Sequence, residues 1–147
     1  MKLTSQEKRR TAALRVPDDG FEQLRAAFCE RLKAERLSLL SLGTALAQSD
    51  ADRGPVLDEL RTRAHRVSGT AAIFELVGVA ALARALELAV DGVTEANGAA
   101  APRAENSDRV MCAALHALVS VIAGVGQPSH VLQLYRRKAA PNALLNG

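Results

Sequence analysis

The chain has 147 residues and a formal net charge of +3, and 48% of its residues are hydrophobic while only 3% are aromatic. This length suits one domain with tails and is enough to bury a core. The shortage of aromatic side chains excludes a stacking surface for single-stranded nucleic acid. The apolar content is mostly Ala, Leu and Val, which favours packed helices over sheets.

The first predicted element is a short basic helix that opens at a capping box, Thr4 to Glu7. We assign residues 1–18 to this basic segment, residues 19–126 to a helical domain and residues 127–147 to a flexible C-terminal tail. The N-terminus lacks the apolar stretch of a secretory signal. No uninterrupted apolar run reaches about 18 residues, so no membrane-spanning segment is predicted.

Four longer helices follow, and their apolar residues recur at steps of three and four, as in helices that bury one side. They are predicted over Asp19 to Gln48, Pro55 to about Glu75, the Gly78 junction to Asn97, and a cap at Asn106 or Ser107 to Gly124. Residues 97–106 are predicted as a loop, because Asn97-Gly98 is a helix stop signal and Pro102 follows it.

The four apolar stripes predict an all-α fold, an antiparallel four-helix bundle joined by short links. The sequence has no strand-like alternation and no phosphate-binding glycine loop, so it does not indicate a nucleotide-binding domain. The predicted inner-face residues are Leu24, Phe28, Leu32, Leu39, Leu42 and Leu46; Leu57, Leu60, Ala64, Val67, Ala71 and Phe74; Val79, Leu82, Leu86, Val90 and Val93; and Met111, Leu115, Leu118, Ile122 and Val125.

The two cysteines and the charged ends of the chain give weaker signals. Cys29 and Cys112 lie in separate helical patterns and are predicted to be buried, reduced thiols, which is typical of a cytoplasmic protein. The positive charge is concentrated near the two ends of the chain. Basic tails that bind nucleic acid are an alternative function, but no nucleic-acid recognition motif accompanies them.

His65 is the residue that most directly suggests a function. It lies about 130° round the second helix from the centre of the apolar stripe and is therefore predicted to be exposed. Gly69 and Ala72 follow one and two turns later and leave the helix surface beside it bare. A second protein could therefore approach the imidazole closely. Such a histidine can bind metal, act as an acid or base, or carry a group covalently.

Residue spacing favours covalent group transfer among these three roles. His116 and His130 do not lie at metal-ligand spacing from His65. Asp58 and Glu75 lie too far along the helix to orient the imidazole for acid–base catalysis. From spacing alone, an ordinary surface histidine remains the alternative. His116 itself adjoins an apolar stripe and is predicted to be a packed or boundary residue.

Two stretches on consecutive helices form a pattern: Ala64-His65-Arg66-Val67-Ser68-Gly69-Thr70-Ala71 and Leu82-Ala83-Arg84-Ala85-Leu86-Glu87. The pattern resembles the signature of histidine-containing phosphotransfer (HPt) domains. Those domains are four-helix bundles with an exposed histidine in a His-x-x-Lys-Gly type motif. The resemblance implies a phosphocarrier rather than an enzyme. His65 would carry a phosphoryl group between receiver-domain aspartates in a multistep two-component phosphorelay.

The same resemblance implies which protein supplies each part of the reaction centre. Gly69 would leave room for the receiver. From their placement along the helix alone, Thr62, Ser68, Ala72 and Glu75 are expected to border the docking surface. The Mg²⁺ and the acidic residues would belong to the receiver, with no metal or cofactor on this chain. The implied partners are response-regulator receiver domains or a hybrid histidine kinase, with no membrane and no nucleic acid. The expected form is a cytoplasmic monomer.

One position departs from the resembled motif. Ser68 stands where the family commonly has a lysine, whose charge could balance a phosphoryl group on His65. Arg66 and Arg61 are the candidates to contribute charge at longer range. Together with Arg63 they form either a functional basic cluster or an ordinary solvated face. The departure motivates an alternative function, a non-phosphorylated helical adaptor that binds and regulates a receiver or a histidine kinase.

Overall fold

The computed structural model describes residues 18–48, 52–97 and 101–126, which form four α-helices. The helices are α1 (Asp18–Gln48), α2 (Gly54–Ile73), α3 (Val77–Ala96) and α4 (Ala101–Gly124). The predicted basic helix near the N-terminus, the predicted tail over 127–147 and His130 lie outside the described residues.

Each helix packs against two neighbours, in the cyclic order α1, α2, α3, α4 and back to α1. Neighbouring helices run antiparallel. Between α1 and α2, for example, Glu35 contacts Arg63, whereas Phe28, nearer the start of α1, contacts Phe74 beyond the end of α2. The predicted four-helix bundle is therefore confirmed.

The predicted apolar stripes form the core of this bundle. Each of the four helices contributes buried side chains to one cluster, and Leu39, Leu60, Leu86 and Leu118 are fully buried in it. Leu24 is the exception, since it is 63% exposed. It lies near the start of α1, where Phe21 and Phe28 make the contact with Phe74. The prediction that Leu24 faces the core is wrong.

The junction between α2 and α3 lies earlier in the chain than predicted. α2 ends at Ile73, and Glu75 has a positive φ of 60°. The amide of Leu76 donates to the Ala71 carbonyl at 2.9 Å, which closes the turn in the manner of a Schellman motif. Glu75 is therefore a turn residue rather than part of α2, and Gly78 lies inside α3 rather than at the junction.

The fourth helix begins earlier than predicted. α4 starts at Ala101, so the predicted loop over 97–106 is wrong in its second half. Pro102 falls in the first turn, where a helix needs no amide donor and where the fixed φ of proline suits the helix. Pro102 therefore helps to start α4, and the prediction that it belongs to a stop signal is wrong.

By length and composition alone, Pro102–Gly124 is a candidate membrane-spanning helix, although no uninterrupted apolar run had indicated one. Its buried side chains, Met111, Leu118, Val119 and Ile122, belong to the core of the bundle.

Neither cysteine is buried as predicted. Cys29 is partly exposed, Cys112 is exposed, and both thiols are free. Met111 occupies the inward position of this turn of α4, and the next residue along a helix is rotated by about 100°. This rotation carries Cys112 out of the core.

Candidate functional site

His65 projects from α2 into solvent, as its position on the helix predicts. Its side chain is 72% exposed. The opposite side of α2 is anchored in the core by Leu57, Leu60, Ala64 and Val67, all of them buried. The backbone that carries the imidazole is therefore held by packing, while the ring itself is open to a partner.

The imidazole is oriented by a carboxylate on the neighbouring helix. Nδ1 of His65 lies 3.1 Å from Oε1 of Glu87 on α3. The side chain of Glu87 is only 5% exposed. Its second oxygen, Oε2, accepts a 2.6 Å hydrogen bond from Nη1 of Arg84. A buried carboxylate thus connects the exposed histidine to an exposed arginine.

The state of Glu87 determines which nitrogen of His65 is available. The hydrogen bond from Arg84 lowers the pKa of Glu87; burial opposes this effect, and the hydrogen bond with His65 adds to it. An ionised carboxylate can only accept hydrogen bonds, so Nδ1 carries the proton and donates it. In the neutral imidazole Nε2 then holds the lone pair. The arrangement presents Nε2 to solvent as a nucleophile.

A second ion pair lies one turn away and defines the register of the two helices. Nε of Arg61 donates to Oδ1 of Asp91 at 2.6 Å. Four residues back along α2, from His65 to Arg61, correspond to four residues forward along α3, from Glu87 to Asp91. The two pairs therefore lie one helical turn apart, and each bridges the antiparallel helices α2 and α3.

The surface around His65 is bare, as the sequence predicts. A Cβ atom added to Gly69 would have no atom within 4 Å. Ala72 is exposed on the same helix. Thr62 is also exposed, but its hydroxyl donates to the Asp58 carbonyl at 2.9 Å and so is engaged within α2. Gly69, Ala72 and Thr62, the residues predicted to lie at a docking surface, are thus all on the exposed side of α2.

The predicted supporting arginines do not converge on His65. Arg61 pairs with Asp91, and Arg63 donates to Glu35 on α1 and to Glu59. Two members of the predicted basic cluster thus form ion pairs between helices. The third, Arg66, lines a cavity of about 260 Å³ between α1 and α2. Ser68 is partly exposed, on the turn that follows His65.

Glu87 is the site residue that the sequence analysis missed as a partner of His65. Asp58 and Glu75, the carboxylates on the same helical segment, lie too far along it to orient the ring. The available signal was the position of Glu87 within an apolar face, between the buried residues Leu86 and Val90. A charged residue at such a position requires a partner, and the preceding helix is a neighbouring element that can supply one.

His116 differs from its prediction as a packed or boundary residue, because it is exposed. It lines a groove of about 570 Å³ between α1 and α4. Within the described residues, no hydrogen bond to its imidazole is formed. Across the same residues there is no cluster of three or more His, Cys, Asp or Glu side chains that could hold a metal ion.

The comparison with protein families identifies the family of the bundle. The model of the Hpt domain matches residues 22–124, which include all of the site and most of the bundle. No curated protein and no solved structure gives a significant match. Hpt domains are phosphocarriers that take part in phosphorelays with receiver domains and histidine kinases. The chain belongs to the Hpt domain family.

Proposed function

We propose that this protein carries a phosphoryl group on Nε2 of His65 between receiver-domain aspartates in a multistep phosphorelay. The observation that carries the proposal is the His65–Glu87 pair, in which a buried, ionised carboxylate holds the proton on Nδ1. The opposite nitrogen is thereby both nucleophilic and accessible. Among the three histidines of the sequence, His65 is also the one that lies in the stretch, residues 64–71, that resembles the HPt signature.

The transfer balances without any proton leaving the site. The Nε2 lone pair attacks the phosphorus of an aspartyl phosphate, an N–P bond forms, and the P–O bond to the aspartate breaks. The aspartate departs as a carboxylate. The ring becomes a phosphorylated imidazolium whose Nδ1 proton stays hydrogen-bonded to Glu87. In the return step the neutral imidazole is the leaving group, so the exchange runs in both directions.

The partner supplies the remainder of the reaction centre in this proposal. The Mg²⁺ and the acidic pocket that neutralise the transferring phosphoryl group belong to the receiver domain. Its approach is favoured by the open space at Gly69 and by the apolar residues Ile73 and Val77, which are exposed near the α2–α3 turn. We place the exchange in the cytoplasm, where the two free thiols would stay reduced.

The direct test uses the full-length chain and a purified receiver domain that has been phosphorylated with radiolabelled acetyl phosphate and Mg²⁺. The wild type should take up label at His65. His65→Gln should take up none, because the amide has no nucleophilic nitrogen. His116→Gln is the matched control, since it removes another exposed histidine, and it should label like the wild type.

The same variants separate the phosphocarrier from the adaptor. An adaptor acts by occupancy, so His65→Gln would bind the receiver and keep the signalling output. Label on the His65→Gln protein, or unchanged output from it, would overturn the phosphocarrier. Normal binding combined with lost output would overturn the adaptor.

A further inference from the structure

The proposed phosphorylation of His65 would concentrate negative charge at one point. A phosphoryl group adds about two negative charges at neutral pH. The Glu87 carboxylate already lies 3.1 Å from the other nitrogen of the same ring and is ionised. The imidazolium offsets only part of this charge. Phosphorylated His65 therefore needs a cation within reach.

Most of the nearby arginines are engaged elsewhere. The guanidinium of Arg61 is bound to Asp91, and Arg63 is bound to Glu35 and Glu59 on the side facing α1. Arg66 borders the cavity between α1 and α2 and so lies on the flank away from α3. None of these three contacts the His65–Glu87 pair.

Arg84 is the exception. Its Nη1 donates to Oε2 of Glu87, the same carboxylate that holds His65 through Oε1. Its side chain remains 57% exposed. A guanidinium has five N–H donors in a planar fork, so Arg84 can keep its bond to Glu87 and still donate to another anion.

The register between α2 and α3 places Arg84 beside the helical turn that follows His65. Because His65 pairs with Glu87 and Arg61 with Asp91, each step forward along α2 corresponds to a step back along α3. Ser68 lies three residues after His65, and Arg84 lies three residues before Glu87. Ser68 and Arg84 are therefore opposite each other. Position 68 is where the resembled motif has a lysine, and the short serine side chain leaves room for a long one from α3.

We propose that Arg84 supplies, from α3, the positive charge that balances the phosphoryl group on His65, in place of a lysine at position 68. This proposal rests on the proposed function. On phosphorylation the guanidinium bridges Glu87 and the phosphoryl oxygens. The chain thus moves the charge-balancing cation to the neighbouring helix without changing the position of the histidine.

The test measures the rate at which phosphoramidate, an anionic small-molecule donor, loads the full-length protein, with intact mass as the readout. Nε2 attacks phosphorus and ammonia leaves. Arg84→Gln should load about fivefold more slowly, the size expected for one partly exposed charge pair. Arg84→Lys should retain most of the rate. Arg109→Gln, which removes an exposed arginine on α4, is the matched control and should load like the wild type.

A second-site rescue distinguishes charge from ring orientation. The double variant Arg84→Gln with Ser68→Lys should recover the loading rate, and the deficit of Arg84→Gln should shrink as salt is raised. Nitrogen NMR shifts of His65 should show the Nδ1–H tautomer in both the wild type and Arg84→Gln. Wild-type loading by Arg84→Gln, a changed tautomer, or no rescue by lysine would overturn the role of Arg84.

Failure of the proposed function would look different. In that case a phosphorylated receiver would transfer no phosphoryl group to the wild type. The rates at which phosphoramidate loads Arg84→Gln and the wild type would still differ or agree independently of that result. Transfer from the receiver to the wild type at His65, together with unaltered loading of Arg84→Gln, would retain the function and remove Arg84 from it.

Discussion

Two exposed histidines lie on different faces of this bundle, and their surroundings have little in common. His65 faces the seam between α2 and α3, where Glu87 is buried beneath it and Arg61 pairs with Asp91 one turn away. His116 lies on α4, at a groove whose lining is mainly apolar and includes Leu40 and Leu115. Exposure alone therefore does not distinguish the two.

The difference lies in what holds each ring. A buried carboxylate fixes the tautomer of His65, and packing of α2 fixes its backbone, so its nucleophilic nitrogen is presented in one orientation. Among the described residues, nothing hydrogen-bonds the ring of His116. The buried carboxylate is thus what distinguishes His65, the proposed group-transfer residue, from His116. If that contrast governs function, changes on the α2–α3 face should alter phosphoryl transfer and changes on the α1–α4 face should not.

The largest expected effect comes from filling the open surface at Gly69. Gly69→Phe should slow phosphoryl transfer from a receiver by about a hundredfold, because misplacing reacting groups by even one ångström can cost that much. The free energy of unfolding should not fall, since a Cβ at this position meets nothing within 4 Å. Replacing a glycine inside a helix by phenylalanine also stabilises the helix by about 0.5 kcal/mol. Transfer assays and urea denaturation measure the two quantities.

Ala113→Phe is the control for added bulk, because Ala113 is exposed on α4, which does not pack against α2. It should transfer at the wild-type rate. Unimpaired transfer by Gly69→Phe would mean that the receiver does not close over the α2–α3 face, and the contrast between the two faces would lose its functional meaning.

The four-helix fold could be predicted from the sequence because the spacing of apolar residues identifies the buried side of each helix. The stripe through Leu57, Leu60, Ala64 and Val67 gave the buried face of α2 and, by the same geometry, the exposure of His65. The start of α4 was missed because proline is compatible with both a helix stop and a first turn. Only the surrounding structure distinguishes those two uses of Pro102.

The site was less predictable, because its central pair joins two helices. His65 and Glu87 are 22 residues apart in sequence, and their contact depends on the register between α2 and α3. Helical spacing relates residues within one helix and gives no register between helices. The same limitation left Arg61 as a candidate supporting residue, whereas the structure pairs it with Asp91.

An intermediate effect is expected from removing the carboxylate beneath His65. Glu87→Leu should slow phosphoryl transfer about tenfold, because the ring loses the group that fixes its tautomer and stabilises the imidazolium. Folding stability at neutral pH should change by less than about 1 kcal/mol, because a buried ion pair and a well-packed apolar residue are often equivalent. A transfer rate equal to that of the wild type would remove Glu87 from the mechanism.

The pH dependence of stability provides the matching control. The pKa of Glu87 is lowered from its ordinary value of 4.5, so the unfolded chain binds this proton more readily than the folded chain. The contribution of Glu87 to stability is therefore present above about pH 4.5 and is lost as the pH falls through the lower, folded pKa. Glu87→Leu lacks this loss, so its stability relative to the wild type should rise on acidification in thermal melts.

The smallest effect is expected on the other face. In Gly43→Ala the new Cβ would lie 2.8 Å from Cδ2 of Leu115, the far end of a flexible side chain beside the α1–α4 groove. Leu115 can shift into that groove, and the helix gains about 0.5–1 kcal/mol from losing a glycine. The net change in stability should stay within about 0.5 kcal/mol, with phosphoryl transfer unchanged.

Gly92→Ala isolates the helical gain in that experiment, because a Cβ at Gly92 meets nothing within 4 Å. The difference between the two alanine variants in urea denaturation is then the cost of moving Leu115. A loss above about 1.5 kcal/mol in Gly43→Ala would mean that Leu115 is held as firmly as an interior side chain. Slower phosphoryl transfer by the same variant would mean that the α1–α4 face is coupled to His65, and the two faces could not be treated as independent.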